Sequence, residues 1–143
     1  MIKCIGCFIY DMSKDMFLLQ QRSKKCTHPY KWGIWGGKLN KNENFGEALQ
    51  REIKEELGSS PEIVKLYPLD TFLSDDDEFI YYSFVMVVDE FNDIVINENE
   101  TNDYIWLPYK YLTRLDLHPG VDQTIQEKHQ AIKDIISKHQ AIT

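Results

Sequence analysis

Alternating hydrophobic and polar positions along the chain predict five strands. The strand-like runs are rich in β-branched and aromatic residues and are bounded by polar turns. They cover residues 2–10, 16–21, 62–73, 78–88 and 104–107. Their pattern is typical of antiparallel strands, and the two predicted helices lie far apart in the chain. This arrangement favours an α+β fold or a mixed sandwich over a regular βαβ series.

Two segments have helical periodicity. Asn44 is the predicted N-cap of the first helix, Glu47 is its reciprocal partner three residues later, and Gly58 is the predicted stop. Hydrophobic residues recur every four positions and predict a buried stripe, formed by Leu49, Ile53 and Leu57. The tail from Val121 predicts one further amphipathic helix, with apolar residues at Val121, Ile125, Ile132, Ile135 and Ile136.

The size and composition of the chain are typical of one globular domain. Its 143 residues have room for a single core, and 43% hydrophobic with 27% charged residues is ordinary for such a domain. No apolar stretch approaches the roughly 20 residues that a membrane span requires. The N-terminus lacks the long apolar core of a signal peptide. We therefore expect one domain over residues 1–143, located in the cytoplasm, with no membrane partner.

The charge balance restricts the partners. Sixteen Lys and Arg residues against 23 Asp and Glu residues give a net charge of −7. This balance argues against long nucleic acids, whose binding depends on many cation–phosphate contacts. Small nucleotides remain compatible with it, because a bound divalent metal can supply positive charge locally.

The cysteines offer a weak zinc signal. Cys4 and Cys7 have the spacing of half a zinc site, but no second pair follows. In a strand the two side chains would point to opposite faces, so we expect structural thiols. Cys26 and His28 form one more pair, which cannot complete a tetrahedral site.

Three glutamates on the first predicted helix form a candidate metal site. At about 100° per residue, Glu52, Glu55 and Glu56 lie on one side of the helix. Such carboxylates repel one another, and a divalent cation would remove that penalty. Mg²⁺ suits carboxylate oxygens that leave positions open for water and phosphate. Taken alone, the cluster is also compatible with a solvated acidic helix face.

The residues around this cluster resemble the Nudix box. They follow the pattern G-x5-E-x7-R-E-(apolar)-x-E-E-x-G, whose seven fixed identities would coincide by chance in roughly one window in 10⁸ to 10⁹. The matching residues are Gly37, Glu43, Arg51, Glu52, Ile53, Glu55, Glu56 and Gly58. Two positions depart from the family pattern. Ser59 replaces a usually apolar residue, and Trp35 stands where proline often precedes the two glycines.

The resemblance implies a fold, a reaction and a metal site. The fold would be a Nudix-type mixed β-sheet sandwiched between helices. The reaction would be hydrolysis of a phosphoanhydride bond in a nucleoside diphosphate linked to another moiety. Mg²⁺, or alternatively Mn²⁺, would be held by Glu52, Glu55, Glu56 and the backbone carbonyl of Gly36.

The resemblance leaves the general base open. Arg51 and Glu43 would orient the helix and the preceding loop. The base would be a box glutamate, such as Glu52 or Glu55, or a distal carboxylate. The distal candidates precede the last predicted strand, with Glu100 as the first choice, and are Glu98, Glu100 and Asp103.

Substrate contacts and alternative functions are less specific in the sequence. Trp35 is the first choice for stacking on a base, because it adjoins the glycines, and Arg22 and Lys38 are candidates for phosphate contacts. Other aromatic residues fit stacking or core packing, namely Trp32, Tyr81, Tyr82 and Trp106. The alternative functions are a non-catalytic Nudix-fold nucleotide sensor and an acidic protein-interaction domain. A homodimer is left open.

Overall fold

Within residues 1–140, seven strands form one mixed sheet around the N-terminal strand. The structure is a computed structural model that describes residues 1–140. The strands are β1 (Ile2–Asp11), β2 (Met16–Arg22), β3 (Trp32–Gly33), β4 (Trp35–Lys38), β5 (Ile63–Leu73), β6 (Phe79–Val88) and β7 (Thr101–Leu107). Strand β1 pairs antiparallel with β2 and β4 and parallel with β6. Strand β5 lies beyond β6, and β3 and β7 pair with β2.

Helices cover both faces of the sheet. Helix α1 (Phe45–Leu57) packs on one face, and its stripe joins a core with Ile5, Cys7 and Ile9 of β1. Helices α2 (Pro119–Glu127) and α3 (His129–His139) pack on the opposite face, where Phe8 and Tyr10 point. A 3₁₀ helix over Tyr109–Arg114 precedes them. The predicted sheet between helices is confirmed.

Local capping fixes the ends of α1 as the sequence predicts. The Asn44 side chain accepts a hydrogen bond from the Glu47 backbone at 2.8 Å, and the Glu47 carboxylate accepts one from the Asn44 backbone at 3.1 Å. Gly58 ends the helix with φ of 78°, a left-handed conformation that glycine adopts without a steric penalty. The buried stripe has no solvent exposure at Leu49, Ile53 or Leu57.

The glycine-rich segment forms a short strand that is not among the five predicted strands. Gly36 and Gly37 lie in β4, opposite Gly6 and Ile5 of β1. A side chain on Gly36 would collide with the carbonyl oxygen of Ile5. Gly36 is therefore required for the close approach of two backbones, and neither glycine has a positive φ.

The C-terminal segment forms two helices, so the prediction of one was wrong. The chain bends at Lys128, whose φ of −110° and ψ of 19° leave the helical region. The bend lets both helices place apolar residues on the same sheet face, among them Val121, Ile125, Ile132 and Ile135. Within residues 1–140, no helix is long and apolar enough to cross a membrane.

Candidate active site

Glu52 rests directly on the backbone of β4. A side chain on Gly37 would overlap the Glu52 carboxyl group, so glycine at this position makes room for that carboxylate. The Glu52 side chain is only 14% exposed. Burial raises its pKa, Arg51 opposes the rise, and the charges of Glu55 and Glu100 add to it. Gly37 and helix α1, the two parts of the box, are thus in contact through the Glu52 carboxylate.

Arg51 connects the two ends of the box. Its Nε and Nη2 atoms donate to the two Glu43 carboxylate oxygens at 2.7 and 2.9 Å, a bidentate pair. Its Nη1 donates to Glu52 at 2.8 Å, and Nη2 also donates to the Lys38 carbonyl at 2.9 Å. These bonds raise the pKa of Arg51 and lower that of Glu43. The arginine therefore holds α1 against the loop that precedes it.

Glu56 is a buried carboxyl group that lacks a full set of partners. It is 4% exposed, and its Oε2 atom has no hydrogen-bond partner within the described part of the chain. Burial, followed by the charges of Glu52 and Glu100, raises the pKa of Glu56 to about 9, and a Gly36 backbone contact only partly opposes this. An unpaired buried carboxyl oxygen costs free energy unless something fills its lone pairs. A divalent cation would do so.

Glu100 lies close enough to the box for its charge to affect the pKa of the box glutamates. Among the three distal candidates, Glu100 is the one whose charge raises the pKa of both Glu52 and Glu56. Glu98 instead borders a shallow groove beside Lys24 and Lys25. Asp103 is exposed on β7. The structure therefore brings Glu100, and neither of the other two, towards the helix glutamates.

The segment before Glu100 is attached to the end of α1. The Val95 and Asn97 backbone N–H groups donate to the carbonyls of Leu57 and Glu56 at 2.9 and 3.0 Å. Further back, the buried carboxylate of Asp11 accepts from the Phe91 backbone at 2.8 Å. The segment that leads to Glu100 is therefore hydrogen-bonded to the end of the helix that contains the box glutamates.

The glutamates fit a divalent ion, although their side chains point in different directions. Glu52 faces Arg51, Glu56 is buried, and the Glu55 side chain is 59% exposed, 3.7 Å from Arg51. Within residues 1–140, no three acidic, histidine or cysteine side chains converge on one point as they are placed. The observation that fits a cation here is the unpaired, buried oxygen of Glu56.

Trp35 does not reach the surface, so its predicted stacking role was wrong. The side chain has no solvent exposure, and its indole N–H donates to the Leu18 carbonyl at 2.8 Å. It packs in the core between the sheet and α1 because β4 lies against β1 in a register that points it inwards. The large residue before the two glycines is therefore a core residue.

Arg22 and Lys38 occupy different environments. The Arg22 guanidinium donates to the Thr27 carbonyl at 2.7 Å and to the Thr27 hydroxyl at 3.0 Å. Arg22 also borders a cavity on the sheet face opposite α1. Lys38 is exposed beside the box, and its carbonyl accepts from Arg51. Phosphate contacts by these two cations stay predictions.

A cavity of about 550 Å³ opens on the sheet face opposite α1. Its size is within the range of ligand pockets. Apolar side chains from three strands and α2 form much of its wall, including Phe8, Ile34, Phe72, Phe79 and Val121. Polar groups also reach it, including Arg22, Asp70, Tyr81, His118 and Gln123.

Tyr81 extends the cavity towards the box glycines. Its hydroxyl lies over Gly6, where any side chain would overlap it, and Gly6 pairs with Gly36 across the strands. Burial, together with the nearby thiols and Glu56, raises the pKa of Tyr81 well above its usual range. The sequence predicted Tyr81 only as one of several aromatic candidates. Gly6 and His118 were missed, because no local pattern marks them.

The cysteines form no metal set in the part of the chain that the structure describes. Cys7 is fully buried in the core under α1, and burial raises its pKa well above the usual range. Cys4 lies on the same strand, half-buried, with a free thiol. Both therefore fit structural thiols.

Comparison with known proteins assigns the family. A model of the NUDIX domain matches residues 2–127, so this chain belongs to the NUDIX domain family. Nucleoside triphosphatase NudI of Enterobacter sp. (strain 638) is 29% identical over 136 residues, which cover 88% of this chain and 96% of that protein.

Solved structures show the same fold. The MutT protein from Methanosarcina mazei Go1 superimposes with a TM-score of 0.72 at 22% identity, over 92% of this chain and 95% of that one. The NUDIX domain of Shewanella oneidensis NrtR, in complex with ADP ribose, has a TM-score of 0.71 at 17% identity, over 91% and 87% of the two chains.

Proposed function

We propose that this protein is a metal-dependent pyrophosphohydrolase that cleaves a phosphoanhydride bond of a nucleotide. The buried, unpaired carboxyl group of Glu56 carries the proposal, since it is accompanied by Glu52 and Glu55 in a box that keeps all its glutamates. A non-catalytic sensor would be expected to have lost one or more of these glutamates. Nucleoside triphosphates are the first substrates to test, because the relative named above is a nucleoside triphosphatase.

Each group has a distinct role in this proposal. Glu52, Glu55, Glu56 and the Gly36 carbonyl would hold Mg²⁺ or Mn²⁺, which when bound neutralises phosphate charge and polarises the phosphoryl group. Arg51 keeps Glu52 oriented through the bond to it described above. Glu100 would accept a proton from the attacking water. The nucleoside would occupy the cavity beside Tyr81, which reaches towards the glycines.

The test is hydrolysis of a nucleotide panel with Mg²⁺, with Mn²⁺ and with excess chelator. The panel holds nucleoside triphosphates, nucleotide sugars and dinucleotides. We expect turnover with either metal and none with chelator. Glu56→Gln should lower kcat by at least about 100-fold, since even second-shell changes at metal sites cost up to that much. The matched control is Glu78→Gln in the exposed β5–β6 turn, which should leave kcat unchanged.

Full activity in excess chelator would refute the metal role. Equal loss in the Glu56 and Glu78 variants would show that the effect is not specific to the box. Absence of hydrolysis across the whole panel with both metals would refute the enzyme assignment itself.

A further inference from the structure

His118 is held in one position at the edge of the cavity. Its backbone N–H donates to the Trp32 carbonyl of β3 at 2.8 Å. Its side-chain Nδ1 accepts from the Gly120 backbone N–H at 3.0 Å, so the residue also caps α2. The backbone of His118 is thus attached to the sheet and its ring to the first turn of α2, so the cap sets the ring orientation before any ligand arrives.

The cap also decides which ring nitrogen has the proton. A neutral imidazole has one donor and one acceptor nitrogen, and the bond from Gly120 requires Nδ1 to be the acceptor. The proton must then lie on Nε2. The His118 side chain borders the cavity, and its Nε2 atom makes no hydrogen bond with any group of residues 1–140. This donor is therefore free to bond an acceptor that a ligand brings into the cavity.

The surroundings keep this ring neutral. Burial is the main cause, and the charges of His28 and Arg22 add to it, so the pKa of His118 falls to about 4. The two imidazole rings lie edge to face with centroids 4.4 Å apart. The acidic group that shares the cavity wall on α2 is Glu127, whose Oε1 already accepts from Gln123 at 2.9 Å. A neutral ring with a fixed N–H donor therefore lies in the cavity wall at neutral pH.

We infer that His118 determines base specificity by donating its Nε2–H to a keto oxygen on the edge of the bound base. The inference rests on the proposed function for the identity of the ligand as a nucleotide. A fixed donor matches the carbonyl of uracil or guanine, whereas cytosine and adenine present an amino group, also a donor, at the corresponding position. The amino bases would leave two donors facing each other, which is unfavourable.

The decisive change is His118→Asp, because aspartate also caps a helix N-terminus but has no donor. It should keep the fold and remove the preference for keto bases. The matched control is His28→Asp. His28 is also a histidine, its ring packs against that of His118, and it is not part of the cavity wall. Its φ of 52° is positive, a conformation that aspartate tolerates.

The measurement is the dissociation constant of UMP, CMP, GMP and AMP in excess chelator, with thermal unfolding as a check of the fold. We expect the parent protein to bind UMP over CMP, and GMP over AMP, by about 10-fold, the value of one hydrogen bond. His118→Asp should abolish or reverse both ratios, and His28→Asp should keep them. Each comparison is a ratio of two dissociation constants, so the repulsion between the introduced carboxylate and the phosphate, which is common to both nucleotides, cancels.

Three results would overturn the inference. They are equal binding of keto and amino bases by the parent, unchanged ratios in His118→Asp, and equal loss in both variants. Metal-free binding separates this inference from the proposed function. If the parent prefers keto bases, His118→Asp loses the preference and no nucleotide is hydrolysed, the role of His118 is supported and the proposed enzyme activity is refuted. If nucleotides are hydrolysed but His118→Asp keeps the parent's binding ratios, the enzyme activity is supported and the role of His118 is refuted.

Discussion

Replacing Glu56 by glutamine should make the stability of the metal-free protein less dependent on pH. In the folded state the pKa of this carboxyl group is about 9, whereas in the unfolded chain it is near 4.5. Between these values the unfolded state releases a proton that the folded state keeps. The free energy of unfolding of the parent therefore falls as pH rises through this window. Glutamine does not titrate, so this contribution disappears.

The expected size follows from the linkage between protons and folding. One proton changes the free energy of unfolding by at most about 1.4 kcal/mol per pH unit. From pH 5 to pH 8 the variant should therefore gain about 2–4 kcal/mol relative to the parent, since neighbouring carboxylates share part of the effect. For a chain of this length that corresponds to about 5–15 °C in Tm.

The assay is thermal unfolding in excess chelator at several pH values for the parent, Glu56→Gln and Glu55→Gln. Glu55 lies on the same helix and is 59% exposed, so the same substitution there should leave the pH dependence of Tm close to that of the parent. Parallel curves for the parent and Glu56→Gln would refute the reasoning, because they would show that Glu56 has an ordinary pKa in the fold.

Three further substitutions test other parts of the site. Glu100→Gln should lower kcat by about 10²-fold or more with little change in KM, and Glu98→Gln should not; two near-normal variants would place the base on α1. Gly37→Ala should lower kcat by displacing the carboxylate that rests on it, whereas Gly46→Ala in α1, where the added methyl group would make only an ordinary contact with Asn44, should not; equal rates would contradict the close contact. Trp35→Phe should destabilise the fold by about 1–3 kcal/mol and leave KM unchanged, because it breaks a buried hydrogen bond; a raised KM at unchanged stability would restore the stacking role.

Features that depend on neighbouring residues were predictable from the sequence. The reciprocal hydrogen bonds between Asn44 and Glu47 are present, and they depend only on two residues three positions apart at the start of a helix. The stripe of α1 follows from helical spacing alone. We expected Arg51 and Glu43 to orient the helix and the preceding loop, and in the structure the two side chains form a bidentate pair.

Features that depend on distant backbone pairing were not predictable. Strand β4 contains two glycines, which have no side chains to produce an alternating pattern, so the sequence did not predict it. The direction of Trp35 is set by the register of β4 against β1. The position of Glu100 depends on backbone hydrogen bonds to the end of α1, which no residue type encodes. His118 caps a helix that begins at Pro119, whereas we expected it to begin at Val121.

The central place of β1 affects how the chain is made as well as how it works. Its parallel partner β6 ends at Val88, so the first strand leaves the ribosome long before the sheet can close around it. Parallel and long-range pairings form late and leave edges open to other chains meanwhile. A nascent chain that ended before Phe79 would have α1 and its glutamates on an unfinished sheet. Folding should thus wait for β6, and premature termination should yield aggregation-prone fragments.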